Sequence, residues 1–169
     1  MKKSLIKALS LLCLLVMILA QAGSAFAETA KLRSTQDFLD FLDSKGVKYT
    51  LGSLDDGRED VTVSYTLDNF SSLKCRIFFK DDCEEVSLRI WNIITATAGK
   101  SRILSNINTI NNKYKFAKFV FDESDNTVQA ELDVYIDGDH CGRSVYDSMQ
   151  ALFNVTDRDD VAELLHELE

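Results

Sequence analysis

Asp137-Gly138-Asp139-His140-Cys141 is the most chemically suggestive run in the chain, with two carboxylates, an imidazole and a thiol in five consecutive residues. These are the side chains that hold zinc and related ions. Five residues in series rarely converge on one ion without ligands from elsewhere, however, and the other histidine, His166, falls far along the chain. We read Asp137, Asp139, His140 and Cys141 as a strand-to-helix turn in which Asp139 favours the positive end of the following helix. We therefore expect no metal and no cofactor. His140 and Cys141 are neighbours whose side chains diverge, so a thiol nucleophile with its base would need another pairing.

Other candidates fail on spacing. Asp55-Asp56, Asp81-Asp82 with Glu84-Glu85, and Asp122-Glu123 with Asp125 are acidic turns. None has the alternating carboxylates, glycine and closing glutamate of a calcium loop. Gly99-Lys100-Ser101 resembles the end of a phosphate loop but lacks the glycine that must precede it. No catalytic motif emerges, and the chain reads as a non-enzyme. Cys75 and Cys83 are expected on one hairpin with too long a separation for a disulfide, while a bridge from Cys141 to either stays open.

The elements that must position these groups follow from periodicity. Ser34-x-x-Asp37 resembles a capping box, Phe38, Phe41 and Leu42 make a helical stripe, and Gly46 stops the helix. Val47, Tyr49 and Leu51 alternate as a strand, as do Val61, Val63, Tyr65 and Leu67, and Leu73, Cys75, Ile77 and Phe79. Pairing inward residues with inward residues sets Leu67 opposite Leu73 around a loop centred on Phe70. Val86, Leu88 and Ile90 form a fourth strand, with Trp91 on its other face near Phe78. A helix over 101–113 buries Ile103, Leu104, Ile107 and Ile110, and carries Asn106, Asn108, Asn111 and Asn112, an unusual density of a mediocre helix former. These asparagines are read as lining and capping their own helix, in preference to bonding a partner's backbone.

Ala117, Phe119 and Phe121 then meet Val128, Ala130, Leu132 and Val134 in a hairpin that sets Phe121 opposite Val128. Alternation buries Phe119, Phe121, Leu132 and Val134 and exposes Glu131 and Asp133. Val145, Met149, Leu152 and Phe153 mark a helix. Thr156-x-x-Asp159 caps a last one striped by Val161, Leu164, Leu165 and Leu168. The order α-β-β-β-β-α-β-β-α-α lacks strict βαβ alternation, so the fold class is α+β, an antiparallel sheet with packed helices.

The N-terminus gives an address. Lys2, Lys3 and Lys7 are followed by the uncharged stretch Leu9 to Ala20 and by small residues ending Ala25-Phe26-Ala27. That order is a cleavable secretory signal peptide over 1–27, cut before Glu28, and twelve uncharged residues, broken in polarity by Ser10, are too few for a span of about 20. Cys13 follows Leu12 inside the apolar run rather than a small residue near its end, so we expect no lipid and no membrane anchor after cleavage. The remaining residues, 28–169, fit one domain, secreted or periplasmic. Losing three of 19 basic residues and none of 27 acidic ones leaves 16 against 27, a net charge of −11. That field argues against nucleic acid or anionic membranes as partners.

Ile103-Leu-Ser-Asn-Ile-Asn-Thr-Ile-Asn-Asn-Lys-Tyr-Lys-Phe-Ala-Lys-Phe-Val-Phe-Asp122 leads through an acidic turn to a strand ending Asp133-Val-Tyr-Ile-Asp-Gly138. This run, with its paired Ile107-Asn108 and Ile110-Asn111 ahead of Phe119, resembles the YbjN family. The likeness covers the order of elements from Ser34 to Phe153, and its motif is specific over Ile103 to Gly138. It implies an α+β fold like that of type III secretion chaperones, a broad label of bacterial sensory transduction regulator, and a capacity to form homodimers. It implies no catalytic residues. An export signal departs from the cytoplasmic work of such chaperones. The expectation is thus an exported, non-catalytic YbjN-like domain that binds a protein, itself included. The alternative is a small exported metal-binding protein or enzyme using Asp137–Cys141.

Overall fold

The computed structural model describes residues 30–80, 85–136 and 141–169. The signal segment with Ala25, Ala27 and Glu28, the Asp81-Asp82 turn with Cys83, and Asp137, Asp139 and His140 all lie outside the described residues. The elements are α1 (Arg33–Lys45), β1 (Tyr49–Ser53), β2 (Glu59–Tyr65), β3 (Leu73–Phe79), β4 (Glu85–Thr95), α2 (Lys100–Lys113), β5 (Lys118–Asp122), β6 (Thr127–Tyr135), α3 (Cys141–Thr156) and α4 (Asp159–His166). Their order is the one the sequence predicts. The six strands form one antiparallel sheet, β1-β2-β3-β4-β6-β5. Among the described residues no helix is long and apolar enough to cross a membrane.

One face of the sheet carries the core. Val61, Val63, Cys75, Ile77, Phe79, Val86, Leu88, Ile90, Val128 and Ala130 are fully buried there. Helices α1 and α3 pack on one another and on this face, through Phe38 against Phe79 and Phe153 against Tyr65. Gly142 makes the helix contact possible. A Cβ built on it would stand 2.3 Å from the Asp37 carbonyl oxygen, a distance no real side chain adopts. Helix α2 lies against β5 and α4, burying Ile103, Ile107 and Ile110.

Several expectations need correction. Helix α1 begins at Arg33, so Ser34 lies inside it and does not cap it; the N-cap is Leu32, with no side-chain bond. Ser34 and Thr35 are buried with hydroxyls that meet no partner among the described residues. The entering chain is held instead by Glu59, 3% exposed, whose carboxylate accepts from Lys31 N at 2.7 Å and Leu32 N at 3.0 Å. Leu39 joins the buried stripe, while Phe41 sits half-buried against Tyr146. Gly46 closes α1 as expected, with φ +66°. Helix α4 likewise begins without a side-chain cap, and Thr156 is the buried end of α3, donating to the Leu152 carbonyl.

Strand β2 pairs with β3 as Tyr65↔Leu73 and Val63↔Cys75, which moves the register two residues from Leu67–Leu73. Two residues preserve which side faces in, so the faces stand. The shift comes from a tether: Asp157 accepts from Asp68 N and Asn69 N, and Asn69 donates back to the Asp157 carbonyl. Strand β4 runs on to Thr95 through an irregularity at Asn92, whose φ is +53°. Leu104 is 42% exposed rather than buried. In the last hairpin Phe121 pairs with Val128 as expected, and Phe119 is buried. Phe121, Leu132 and Val134 are only half-buried, Asp133 is exposed, and Glu131 is half-buried between its cross-strand partners Arg89 and Lys118.

Candidate functional site

Among the described residues no group of three or more His, Cys, Asp and Glu side chains could hold a metal ion. Of the Asp137–Cys141 cluster only Cys141 is described. It is 2% exposed and its thiol donates to the Ser34 carbonyl at 3.6 Å, packed against α1. Cys75 lies on β3 with its thiol pushed up to about 12 by burial, which leaves it protonated and unreactive at neutral pH. No disulfide joins Cys75 to Cys141.

The asparagine-rich helix is structural where it is ordered inward. Asn111 clamps β5, accepting from Phe119 N at 2.7 Å and donating to the Phe119 carbonyl at 2.9 Å. Asn106 donates to the Leu164 carbonyl at 2.8 Å and so ties α2 to α4. Ile107 and Ile110 are core, while Asn108 faces solvent. The motif residues Ile107, Asn108, Ile110, Asn111 and Phe119 thus belong to the β5 end of the molecule.

The other end holds a feature of a different kind. Over β1 to β4 the sheet's second face is covered by no described helix, and an open depression of about 770 Å³ lies on it. Alternation places Asp60 and Thr62 of β2, Lys74, Arg76 and Phe78 of β3, and Trp91 of β4 on this side. Asp60 is only 5% exposed although no described helix covers it. Gly52, its partner across the β1–β2 ladder, makes room, since a Cβ there would stand 2.5 Å from Asp60 Oδ1. Arg76 Nε donates to Asp60 Oδ2 at 2.8 Å, which raises the arginine's pKa, burial opposing.

The same guanidinium lies 5.0 Å from the Phe78 ring centroid and 5.3 Å from that of Trp91, and the two rings are 5.7 Å apart. Arg58, paired with Asp56 at 2.7 Å, approaches the Phe78 ring at 5.9 Å. Cations and rings therefore alternate along the surface, an arrangement that fixes long side chains on an open face. Trp91 stays 42% exposed, and the left-handed Asn92 beside it lines the depression. Irregular strand residues of this sort commonly re-aim side chains beside binding sites.

Sequence reasoning brought Trp91 to Phe78 and missed the rest. Asp60 and Arg76 occupy outward positions of alternating strands, and only the register shows that Gly52 stands opposite Asp60. Chemically the surface can stack on an apolar body, donate from Arg76 and Lys74, and exchange neutral hydrogen bonds through Thr62, Ser72 and Asn92. The chain matches no protein-family profile, no curated protein and no solved structure.

Proposed function

We propose that this chain is an exported, non-catalytic domain of the YbjN type that works by contact with another protein, through the uncovered sheet face over β1–β4. The observation that carries the reading is the exposed Trp91 beside the immobilised Arg76 and Phe78. Tryptophan and arginine dominate the energetics of protein contacts, because each brings large area or directional bonds at small cost in freedom. The lining of the depression suits such contact: its one carboxylate, Asp60, is engaged in holding Arg76. Resemblance in the Ile103–Gly138 run supports the family and the regulatory label, and the n-region, apolar run and Ala25-Phe26-Ala27 support export.

Two measurements test this. The intact mass of the protein recovered outside the cytoplasm should correspond to a chain beginning at Glu28; a retained Met1 or an acylated Cys13 refutes the export reading. A photo-cross-linking amino acid placed at Trp91 in the producing cell should give a discrete adduct, and one placed at Leu104 on α2 should not. Equal labelling at both positions, or none at Trp91, rejects this face as the contact surface.

A further inference from the structure

Arg76 defines what a partner on this face must offer. Its Nε is held by Asp60 and its guanidinium sits over two rings, so much of its rotamer freedom is lost before anything binds. Among the described residues its Nη nitrogens meet no hydrogen-bond acceptor, and the side chain is 34% exposed. An immobilised guanidinium with an open fork is pre-organised for a carboxylate, which it can bind through two parallel hydrogen bonds. Lys74, two residues earlier on the same face of β3, is exposed, lines the same depression and has no ion-pair partner among the described residues. Asp60 is neutralised by Arg76, so the lining keeps a surplus positive charge in a chain of net charge −8.

Resting on the contact reading, we propose that the depression over β1–β4 recognises an acidic peptide segment. One carboxylate is bound by the Arg76 fork with Lys74 beside it, and a neighbouring apolar side chain lies on Trp91. The shape favours a peptide over a small anion. From Gly52 on β1 to Trp91 on β4 the depression crosses three strand spacings, about 14 Å, more than one carboxylate fills. Ser53, Thr62, Ser72 and Asn92 distribute neutral donors and acceptors along it, which suits peptide amides. Asp56 and Asp133, the carboxylates beside the lining, are each held by an arginine at 2.7 Å, Arg58 and Arg89, so their charge is met before it reaches the depression.

Trp91 is the only tryptophan in the chain, so its fluorescence reads occupancy directly. The purified protein is titrated with a blocked pentapeptide alternating glutamate with leucine, with its glutamine counterpart, with free glutamate and with inorganic phosphate. The expected result is a saturable change with the glutamate peptide and none with the glutamine one. Arg76→Lys, which keeps the charge and loses the fork, should weaken binding about tenfold or more. Lys74→Gln, at an exposed position that folding does not need, should weaken it about two- to fivefold. Melting curves confirm that both variants fold. Equal binding of the glutamine peptide, displacement of the peptide by equimolar phosphate or free glutamate, or unchanged affinity in both variants overturns the proposal. No peptide binding alongside a Trp91 adduct in cells rejects the acidic ligand and leaves the contact surface standing. Loss of both rejects the two together.

Discussion

Asn111 and Asn108 occupy the same helix and the same sequence motif, yet only one does structural work. Asn111 satisfies both backbone groups of Phe119, itself 1% exposed, so Asn111→Ala strands a donor and an acceptor away from water. An unsatisfied buried polar group costs about 1–3 kcal/mol. Asn108 faces solvent, and Asn108→Ala should change stability by less than about 0.5 kcal/mol. Urea titrations of the two variants check this, and equal losses would contradict the clamp. Asparagine content is visible in a sequence, whereas which amide turns inward depends on where β5 docks. The same blindness hid Asp60: a carboxylate on an outward strand position looks solvated until a glycine opposite and an arginine two residues from its partner are known.

Stripes and alternations were legible because each described element buries one face, and a period of 3.6 or 2 marks that face in any sequence. Termini and register were not. The Ser34-x-x-Asp37 pattern is real, but α1 starts one residue before its serine, because the preceding chain is anchored by Glu59 rather than by the local box. Alternation fixes register only to within two residues, and the choice here is made by Asp157, 88 residues from Asn69. Depth of burial across the sheet was also hidden. Leu88 and Leu132 are cross-strand partners, yet Leu88 is fully buried and Leu132 only partly so. Leu88→Ala should cost about 2–5 kcal/mol, and Leu132→Ala about 1 kcal/mol, a share of the ~1.5–3 kcal/mol for complete burial. Denaturant midpoints decide it, and losses of the same size would show the sheet's far end to be covered.

The whole molecule is acidic, and its stability should fall in acid for an identifiable reason. Lys113 foremost, then Tyr114 and Arg158, hold the Asp160 carboxyl at about 2 against an ordinary 3.8, burial opposing. The folded value lies below the unfolded one, so the charged form favours the folded state. That contribution is complete above about pH 4 and is lost as pH falls through about 2. Asp56, Asp122 and Glu167 are lowered too, chiefly by Arg58, Ser124 and Arg102, and add to the same acid limb. Asp160→Asn should therefore flatten, without abolishing, the dependence of unfolding free energy on pH between about 4 and 2. Urea unfolding at fixed pH values measures it, and an unchanged slope would mean that the α2–α4 ion pairs do not form in solution.

Every ladder of the sheet joins strands adjacent in sequence except one. β4 passes over β5 to pair with β6, setting Ile90 against Ala130 and Arg89 against Glu131 and Asp133. Two meanders, β1–β4 and β5–β6, can each form from local contacts, but their seam requires closing a loop of about forty residues whose entropy is lost before the pairing repays it. Joining the halves is therefore expected to be slower than forming either meander. Until it happens β4 and β6 each present an open edge, the condition under which chains pair with their neighbours. The chain's net charge of −8 repels between copies and so disfavours that pairing.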